Sequence, residues 1–235
     1  YIKTLQSIKD DFLKSDKDFE MYYRGEPKDY EKTSGIPGIA RGNWLKEKNE
    51  SELMRECERR LPNEFAECKS TFERLVKMQH YGIPTRVLDI TLDPLVALFF
   101  ALYKDPKNHD DLSSKNAVVL VYKVPKKQIC NYRSDKVAIV SNISVYNFDD
   151  LDSEKITFEK EGRPTETYCH LLHEIKSEKP YFEPKINKDD LTNVYAVHPL
   201  LDNPRIRAQQ GAFLLYGLKK NRHELAKLEN SKIIK

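Results

Sequence analysis

Long apolar runs, paired cysteines and an excess of either charge are missing from this sequence of 235 residues. The longest apolar run, residues 94–103, is far shorter than the roughly 20 residues of a membrane-spanning helix, so we expect no membrane segment. The four cysteines form no Cys-x-x-Cys pair, which disfavours a metal site and indicates reduced thiols in a cytoplasmic protein. Lys and Arg number 40 against 37 Asp and Glu, with the two signs interleaved, so nucleic acid is not the expected partner.

Helix and strand patterns are both present along the chain. Apolar residues recur at helical spacing in residues 2–14, 62–82 and 222–229, and Ala117–Val124 is a nearly continuous apolar strand pattern. Helices dominate the first part of the chain and strands are scattered later, which predicts an α+β fold with a mixed β-sheet core. We expect a single domain over residues 1–235, with a helical insertion at about residues 44–81.

An aromatic strand pattern over Phe19–Arg24 ends in the charged side chain of Arg24 and is followed by Gly25. A guanidinium at the end of an apolar strand needs a partner, and its planar fork suits a phosphate or a carboxylate. Gly25 permits a turn or the close approach of a ligand to the backbone. These residues predict an anion site. An ion pair between Arg24 and an acid of the same protein is the alternative.

Residues 79–103, QHYGIPTRVLDITLDPLVALFFALY, join a polar segment to the most apolar helix pattern of the chain. Gly82 would end one helix, and the Asp-Pro pair at Asp93 would start a core helix. We interpret the segment between the two helices as a binding loop that the apolar helix holds rigidly. The candidate ligand groups in and beside this loop are Gln79, His80, Tyr81, Thr85, Arg86, Asp89 and Thr91. A structural loop in which Arg86 pairs with Asp89 is the alternative.

A third polar stretch, Asn203–Phe213, precedes an apolar strand pattern. It contains Arg205, Arg207, Gln209 and Gln210, all of which can contact a polar ligand. A polar turn that leads into a β-strand explains the stretch equally well. The sequence contains no serine nucleophile elbow, no glycine-rich phosphate loop and no His-Glu-x-x-His motif, so it offers no other catalytic pattern.

Taken together, the three stretches resemble the FRG domain family, which is named for an aromatic-Arg-Gly motif. Tyr23–Gly25 match that motif, Gln79–Ala101 resemble the central signature (L/Q)QHYG(L/I)PTR(L/V)LD-x-T-x-(D/N)P-x-x-AL-x-FA, and Arg205–Phe213 resemble the closing R-I-x-x-Q-x-G-x-F. One departure is Ile90, where the family often has Trp.

A more distant similarity connects the same order of segments to arginine-type ADP-ribosyltransferases. It implies that the mixed sheet resembles theirs, that Arg24 holds the phosphate or ribose of NAD, and that Thr91 braces the ribose. The glutamate of those enzymes would fall near Gln209 and Gln210, where this chain has no acid. Asp89 is the nearest acid within the motifs.

The function that these resemblances imply is a nucleotide or NAD-like pocket with ADP-ribosyl transfer or NAD hydrolysis. The expected catalytic residues are Arg24, Asp89 and Gln210, and the expected cofactor is NAD, with no metal. The expected ligand-binding residues are Tyr23, Gly25, Gln79, His80, Tyr81, Thr85, Arg86, Thr91 and Gln209. The alternative is a non-catalytic module, a toxin-like, phage-defence or regulatory component that binds protein or nucleic acid.

Overall fold

The computed structural model describes residues 1–15, 17–42, 44–47, 50–103, 116–145, 159–160, 163–200, 207–219, 223–228 and 231–235. Its strands are β1 Phe19–Glu26, β2 Val87–Thr91, β3 Val118–Pro125, β4 Ile129–Asn131, β5 Glu159–Lys160, β6 Arg163–Pro164, β7 Val194–His198, β8 Gly211–Tyr216 and β9 Ser231–Ile234. Its helices are α1 Ile2–Ser15, α2 Trp44–Glu47, α3 Glu50–Arg60, α4 Pro62–Phe65, α5 Thr71–His80, α6 Pro94–Leu102, α7 Asp135–Asn142, α8 Glu166–Glu178 and α9 Lys188–Leu191.

Seven strands form one sheet in the order β4-β7-β8-β2-β1-β3-β9, and β5 pairs with β6 separately. β4 and β7 run parallel, while the other neighbours in the large sheet are antiparallel. The sheet is therefore mixed, and the predicted α+β class is confirmed. β2 occupies the middle position of the sheet, so the central polar stretch of the sequence crosses the centre of the fold.

Helices cover one face of the sheet in two groups. α1 and α6 pack over β1 and β3, where Ala97 and Ala101 are buried in one cluster with Tyr23 and Val121. α5, α7 and α8 pack over β7 and β8 in a second cluster. The opposite face is covered by irregular chain: the segment 27–42, in which Ile39 is fully buried, and residues around Ala226.

Three sequence-based predictions of local structure were wrong. Residues 81–92 are not only a loop, because they contain β2. The pattern over residues 62–82 is not one helix: α5 starts afresh after Ser70, whose extended backbone breaks the helix and whose hydroxyl accepts a hydrogen bond from the Glu73 amide at 3.3 Å. Residues 223–228, the described part of the predicted last helix, contain no helix and bridge to Leu218 through Leu225.

The apolar helix α6 begins where the sequence predicted, with the Asp93 carboxylate accepting a hydrogen bond from the Leu95 amide at 2.7 Å. Only one side of this helix belongs to the core, because Ala97 and Ala101 are buried against the sheet and Leu98 packs beside them, while three large residues face outward. Leu95 and Phe99 are each 58% exposed, and Leu102 is 64% exposed. Their outer surface forms a shallow apolar groove that contains none of the predicted site residues. No helix within the described ranges is long and apolar enough to cross a membrane.

Candidate functional site

The first feature of the candidate site is a gap between β1 and β2. Both strands are described in full, and they pair at one position, with Tyr23 opposite Thr91. Beyond that pair the side chain of Arg24 joins the strands, since its Nη1 donates a hydrogen bond to the main-chain carbonyl of Asp89 at 2.9 Å. Its Nε donates to the Glu26 carboxylate at 3.1 Å. Arg24 therefore bridges two strands and also has an internal acid as a partner.

Arg24 is held as a permanent cation at this point. Its side chain is 20% exposed. Burial disfavours the charged guanidinium, but the carboxylates of Asp89 and Glu26 outweigh it and raise the pKa of Arg24 above its ordinary value. The carboxylate of Asp89 thus stabilises the charge of the guanidinium electrostatically, although the hydrogen bond from Arg24 goes to the Asp89 main-chain carbonyl.

Asp89 places an exposed carboxylate on the central strand of the sheet. Asp89 lies opposite Phe213 in β8, so its side chain points to the helix-covered face. It remains exposed there, because it lies between the two groups of helices. Gln79 from α5 donates a hydrogen bond from Nε2 to Asp89 Oδ2 at 2.7 Å. The amide oxygen of Gln79 is buried and has no hydrogen-bond partner within the described part of the chain. The carboxylate is consequently held in a fixed orientation at the surface, where it can accept hydrogen bonds from a ligand.

Gly25 is approached by a helix of the same protein. A Cβ atom at Gly25 would lie 1.9 Å from the Ala97 carbonyl oxygen and 2.6 Å from the Ala101 nitrogen. Only glycine lets α6 pack directly on β1 at this point. The close approach that the sequence suggested is made by α6, and contact of Gly25 with a ligand stays a prediction.

The closing stretch lies beside the end of β2. Thr91 donates its hydroxyl hydrogen to the Gln209 carbonyl at 2.6 Å and accepts a hydrogen bond from the Asp93 amide at 3.0 Å. The Leu92 amide donates to the Gln210 carbonyl at 3.2 Å. Gln210 itself has a left-handed backbone with φ of 43° and an exposed side chain. Thr91 therefore joins the central and closing stretches, while residues 203–206 of the closing stretch, Arg205 included, lie outside the described residues.

Arg86 is buried and bound inside the protein. Its Nε lies 3.1 Å from both carboxylate oxygens of Glu50, its Nη2 also donates to Glu50, and its Nη1 donates to the Tyr216 carbonyl at 3.1 Å. The neighbouring Thr85 is buried too, and its hydroxyl accepts a hydrogen bond from the Val87 amide at 3.4 Å. The acid that pairs with Arg86 is thus Glu50 of α3, and the alternative pairing with Asp89 was wrong. This ion pair ties the helical segment to the start of β2, and a ligand role for Arg86 or Thr85 stays a prediction.

The aromatic and histidine candidates lie at the edge of this arrangement. His80 and Tyr81 are exposed at the end of α5. The Tyr81 hydroxyl donates to Glu64 at 2.6 Å, and this bond to a carboxylate raises the pKa of Tyr81. Tyr23 is 8% exposed beneath α6, and burial raises its pKa. Of these three side chains, His80 and Tyr81 are accessible to a ligand.

Two acids that organise the candidate site were missed in the sequence. Glu26 follows Arg24 by two residues, and side chains two positions apart on a strand lie on the same face of the sheet. The alternation of side chains along β1 could therefore have predicted the pairing of Arg24 with Glu26. Glu50 is separated from Arg86 by 36 positions and lies in another element, so no local pattern indicated the pair. Among the described residues, no group of three or more His, Cys, Asp or Glu side chains could hold a metal ion.

The fold and site define an α+β protein with a polar stretch on the central strand of a mixed sheet. Residues 19–110 match the family model of the FRG domain, and this chain contains an FRG domain. The matched range includes the Tyr23–Gly25 motif and the central stretch but ends before the closing stretch. Comparisons with curated proteins and with solved structures found no match. The similarity to ADP-ribosyltransferases stays a prediction.

Proposed function

We propose that this FRG domain binds a nucleotide-type ligand, with NAD as the leading candidate, at the gap between β1 and β2. The observation that carries the proposal is that Asp89 presents an exposed carboxylate next to the point where the Arg24 guanidinium bonds its main chain. Its carboxylate is exposed on the central strand and accepts a hydrogen bond from Gln79, and its main-chain carbonyl accepts one from Arg24. A nucleotide offers the complementary groups, because it has anionic phosphates and hydroxyl donors within one molecule.

Each of the two charged groups has a distinct role in this proposal. Arg24 uses Nε and Nη1 internally, and its Nη2 donates no hydrogen bond within the described residues. That nitrogen is the donor for a phosphate oxygen. Asp89 accepts hydrogen bonds from ribose hydroxyls, and Gln79 fixes its orientation. His80 and Tyr81, which are exposed directly after Gln79 at the end of α5, are the proposed contacts of the base or the sugar.

The enzymatic form of the proposal is cleavage of the nicotinamide–ribose bond. That carbon–nitrogen bond breaks with its electron pair leaving on nicotinamide, and water or a nucleophile of a target protein adds to the ribose carbon. Asp89 stabilises the positive charge that develops at the sugar, and an oriented charge of this kind commonly supplies several kcal/mol. Gln210, in the turn bound to the end of β2, orients the incoming nucleophile. Thr85, Arg86 and Thr91 keep the central stretch in place, as do Gly25 and the carbonyl of Gln209.

Titration calorimetry with NAD and with ADP-ribose tests the binding proposal. The test variant is Asp89→Asn, which keeps the shape of the side chain and removes its charge. The matched control is Asp11→Asn on α1, an exposed acid paired with Lys14 and Lys232. We expect Asp89→Asn to weaken binding by about tenfold or more, because a charge-assisted hydrogen bond is lost, and Asp11→Asn to leave it unchanged. Equal affinities for all three proteins would reject the role of Asp89.

A non-catalytic module, as a regulatory part of a toxin or phage-defence system, is the second candidate function. It is favoured by the internal hydrogen bonds of Arg24, Arg86 and Thr91, which a purely structural network would also show. Release of free nicotinamide from NAD, followed by chromatography, separates the two candidates. Release by the wild-type protein that Asp89→Asn abolishes supports the enzyme. Binding without release supports the module.

A further inference from the structure

A buried carboxylate lies behind Arg24, on the face of the sheet opposite to the Asp89 side chain. Glu26 is 2% exposed. One of its oxygens, Oε1, accepts hydrogen bonds from Arg24 Nε at 3.1 Å, from the Gly35 amide at 3.2 Å and from Arg41 Nη2 at 3.5 Å. A single oxygen atom therefore holds the guanidinium of β1 and the backbone of the segment 27–42.

The segment 27–42 packs closely over this carboxylate. Gly35 has a left-handed backbone with φ of 67°, and a Cβ atom there would lie 2.6 Å from the hydroxyl oxygen of Tyr122. Its carbonyl accepts a hydrogen bond from the Tyr216 hydroxyl at 3.2 Å. Further along the segment, the Ile39 amide donates to the Thr85 carbonyl at 3.2 Å. The segment is thus hydrogen-bonded to β1, to β8 and to the residue before Arg86, and it lies against Tyr122 of β3.

The packing of this segment leaves two buried polar atoms unsatisfied. Glu26 Oε2 and the Tyr122 hydroxyl are both buried, and neither has a hydrogen-bond partner within the described ranges. Each buried polar atom without a partner costs free energy, whereas movement of the segment would return both atoms to water. The hydrogen bonds at Glu26 Oε1 favour the observed position of the segment, and the two unsatisfied atoms oppose it.

We propose that Glu26 is a positioning residue that couples the orientation of Arg24 to closure of the segment 27–42. A phosphate that binds Arg24 draws the guanidinium into one orientation, which keeps Glu26 in place and holds the Gly35 amide against it. Closure of the segment in turn orients Arg24 for the phosphate, because coupling between two sites is reciprocal. The effect on the ligand rests on the proposed function, whereas the coupling between Arg24 and Gly35 does not.

Hydrogen exchange of the Gly35 amide in the ligand-free protein tests the coupling by itself. Glu26→Asp keeps the charge but draws the carboxylate back by one carbon–carbon bond. Arg24→Lys keeps the charge but loses the Nε donor. We expect both variants to speed Gly35 exchange by about tenfold, since each removes part of one charge-assisted network. Glu56→Asp, at an exposed ion pair of α3, is the control and should change nothing at Gly35. An unchanged Gly35 rate in Arg24→Lys would overturn the coupling, whatever the ligand does.

Calorimetry with ADP-ribose then tests the consequence for the site. The Glu26→Asp variant should bind ADP-ribose about tenfold more weakly than the wild type. In a protein that already carries Arg24→Lys, adding Glu26→Asp should cause no further loss of affinity. A general loss of structure would instead weaken both backgrounds alike, and that additive result would overturn the positioning role. If the wild-type protein binds neither ADP-ribose nor NAD, the proposed function fails while the exchange experiment still decides the coupling.

Discussion

Replacement of Gly25 by Ala tests the packing that holds the candidate site. The added Cβ would lie 1.9 Å from the Ala97 carbonyl oxygen, and ordinary contacts of a Cβ begin at 3.4 Å. The obstacle is backbone, so α6 has to move away from β1 by about 1.5 Å. That shift loosens the cluster of buried side chains between the helix and the sheet. We expect Gly25→Ala to lower the free energy of unfolding by about 3 kcal/mol, the upper end of the usual cost of overpacking.

Gly42→Ala is the matched control for this experiment. Gly42 has a left-handed backbone with φ of 69°, and a Cβ there would meet nothing within 4 Å. Its substitution should therefore cost only about 1 kcal/mol, from backbone strain alone. Urea denaturation followed by circular dichroism measures both values. A Gly25→Ala protein no less stable than Gly42→Ala would refute the argument that α6 rests on a glycine.

Three further predictions concern stability. Arg86→Ala should cost about 3 to 5 kcal/mol, because it leaves the buried Glu50 carboxylate without its partner; a loss below about 1 kcal/mol in urea denaturation would contradict the buried pair. Burial raises the pKa of Glu178 in the folded protein above the ordinary 4.5. Ionisation of Glu178 therefore destabilises the folded protein as the pH rises above 4.5, the ordinary pKa that the group has in the unfolded chain. Glu178→Gln should therefore gain stability relative to the wild type from pH 4.5 upward, and denaturation at a series of pH values would show a constant difference if the reasoning is wrong. Phe99→Ser should lower the free energy of unfolding by about 0.5 kcal/mol or less, because Phe99 is exposed. Ala97→Leu should lower it by about 1 to 3 kcal/mol, because Ala97 is buried against the sheet. Thermal melts that reverse this order would contradict the observed face of α6.

The sequence predicted elements well where a local signal was strong. Helical spacing identified α1, a continuous apolar run identified β3, and the Asp-Pro pair at Asp93 gave the start of α6 to the residue. The strand β2 was missed because it has only five residues, with an exposed acid in its centre. Short strands of this kind are recognised by their neighbours in the sheet, and those neighbours are distant in sequence.

The candidate site could be predicted only in part for the same reason. The side chains of Arg24 and Asp89 were recognisable as polar groups that need partners, and the structure places the Arg24 guanidinium against the main chain of Asp89. Which acid pairs with Arg86 depended on the path of the helical segment, which no spacing rule gives. The apolar pattern of α6 could not reveal that Leu95, Phe99 and Leu102 face outward, because a helix that is apolar all round has no preferred face in sequence.

Chemical-shift mapping of the wild-type protein with ADP-ribose tests the central claim most directly. It reports where a nucleotide binds, independently of any substitution. We predict that saturable shifts concentrate on the amides of Arg24, Asp89 and Gln79, at the gap between β1 and β2. No shifts, or shifts confined to the apolar groove of α6, would contradict the assignment of a nucleotide site to this gap.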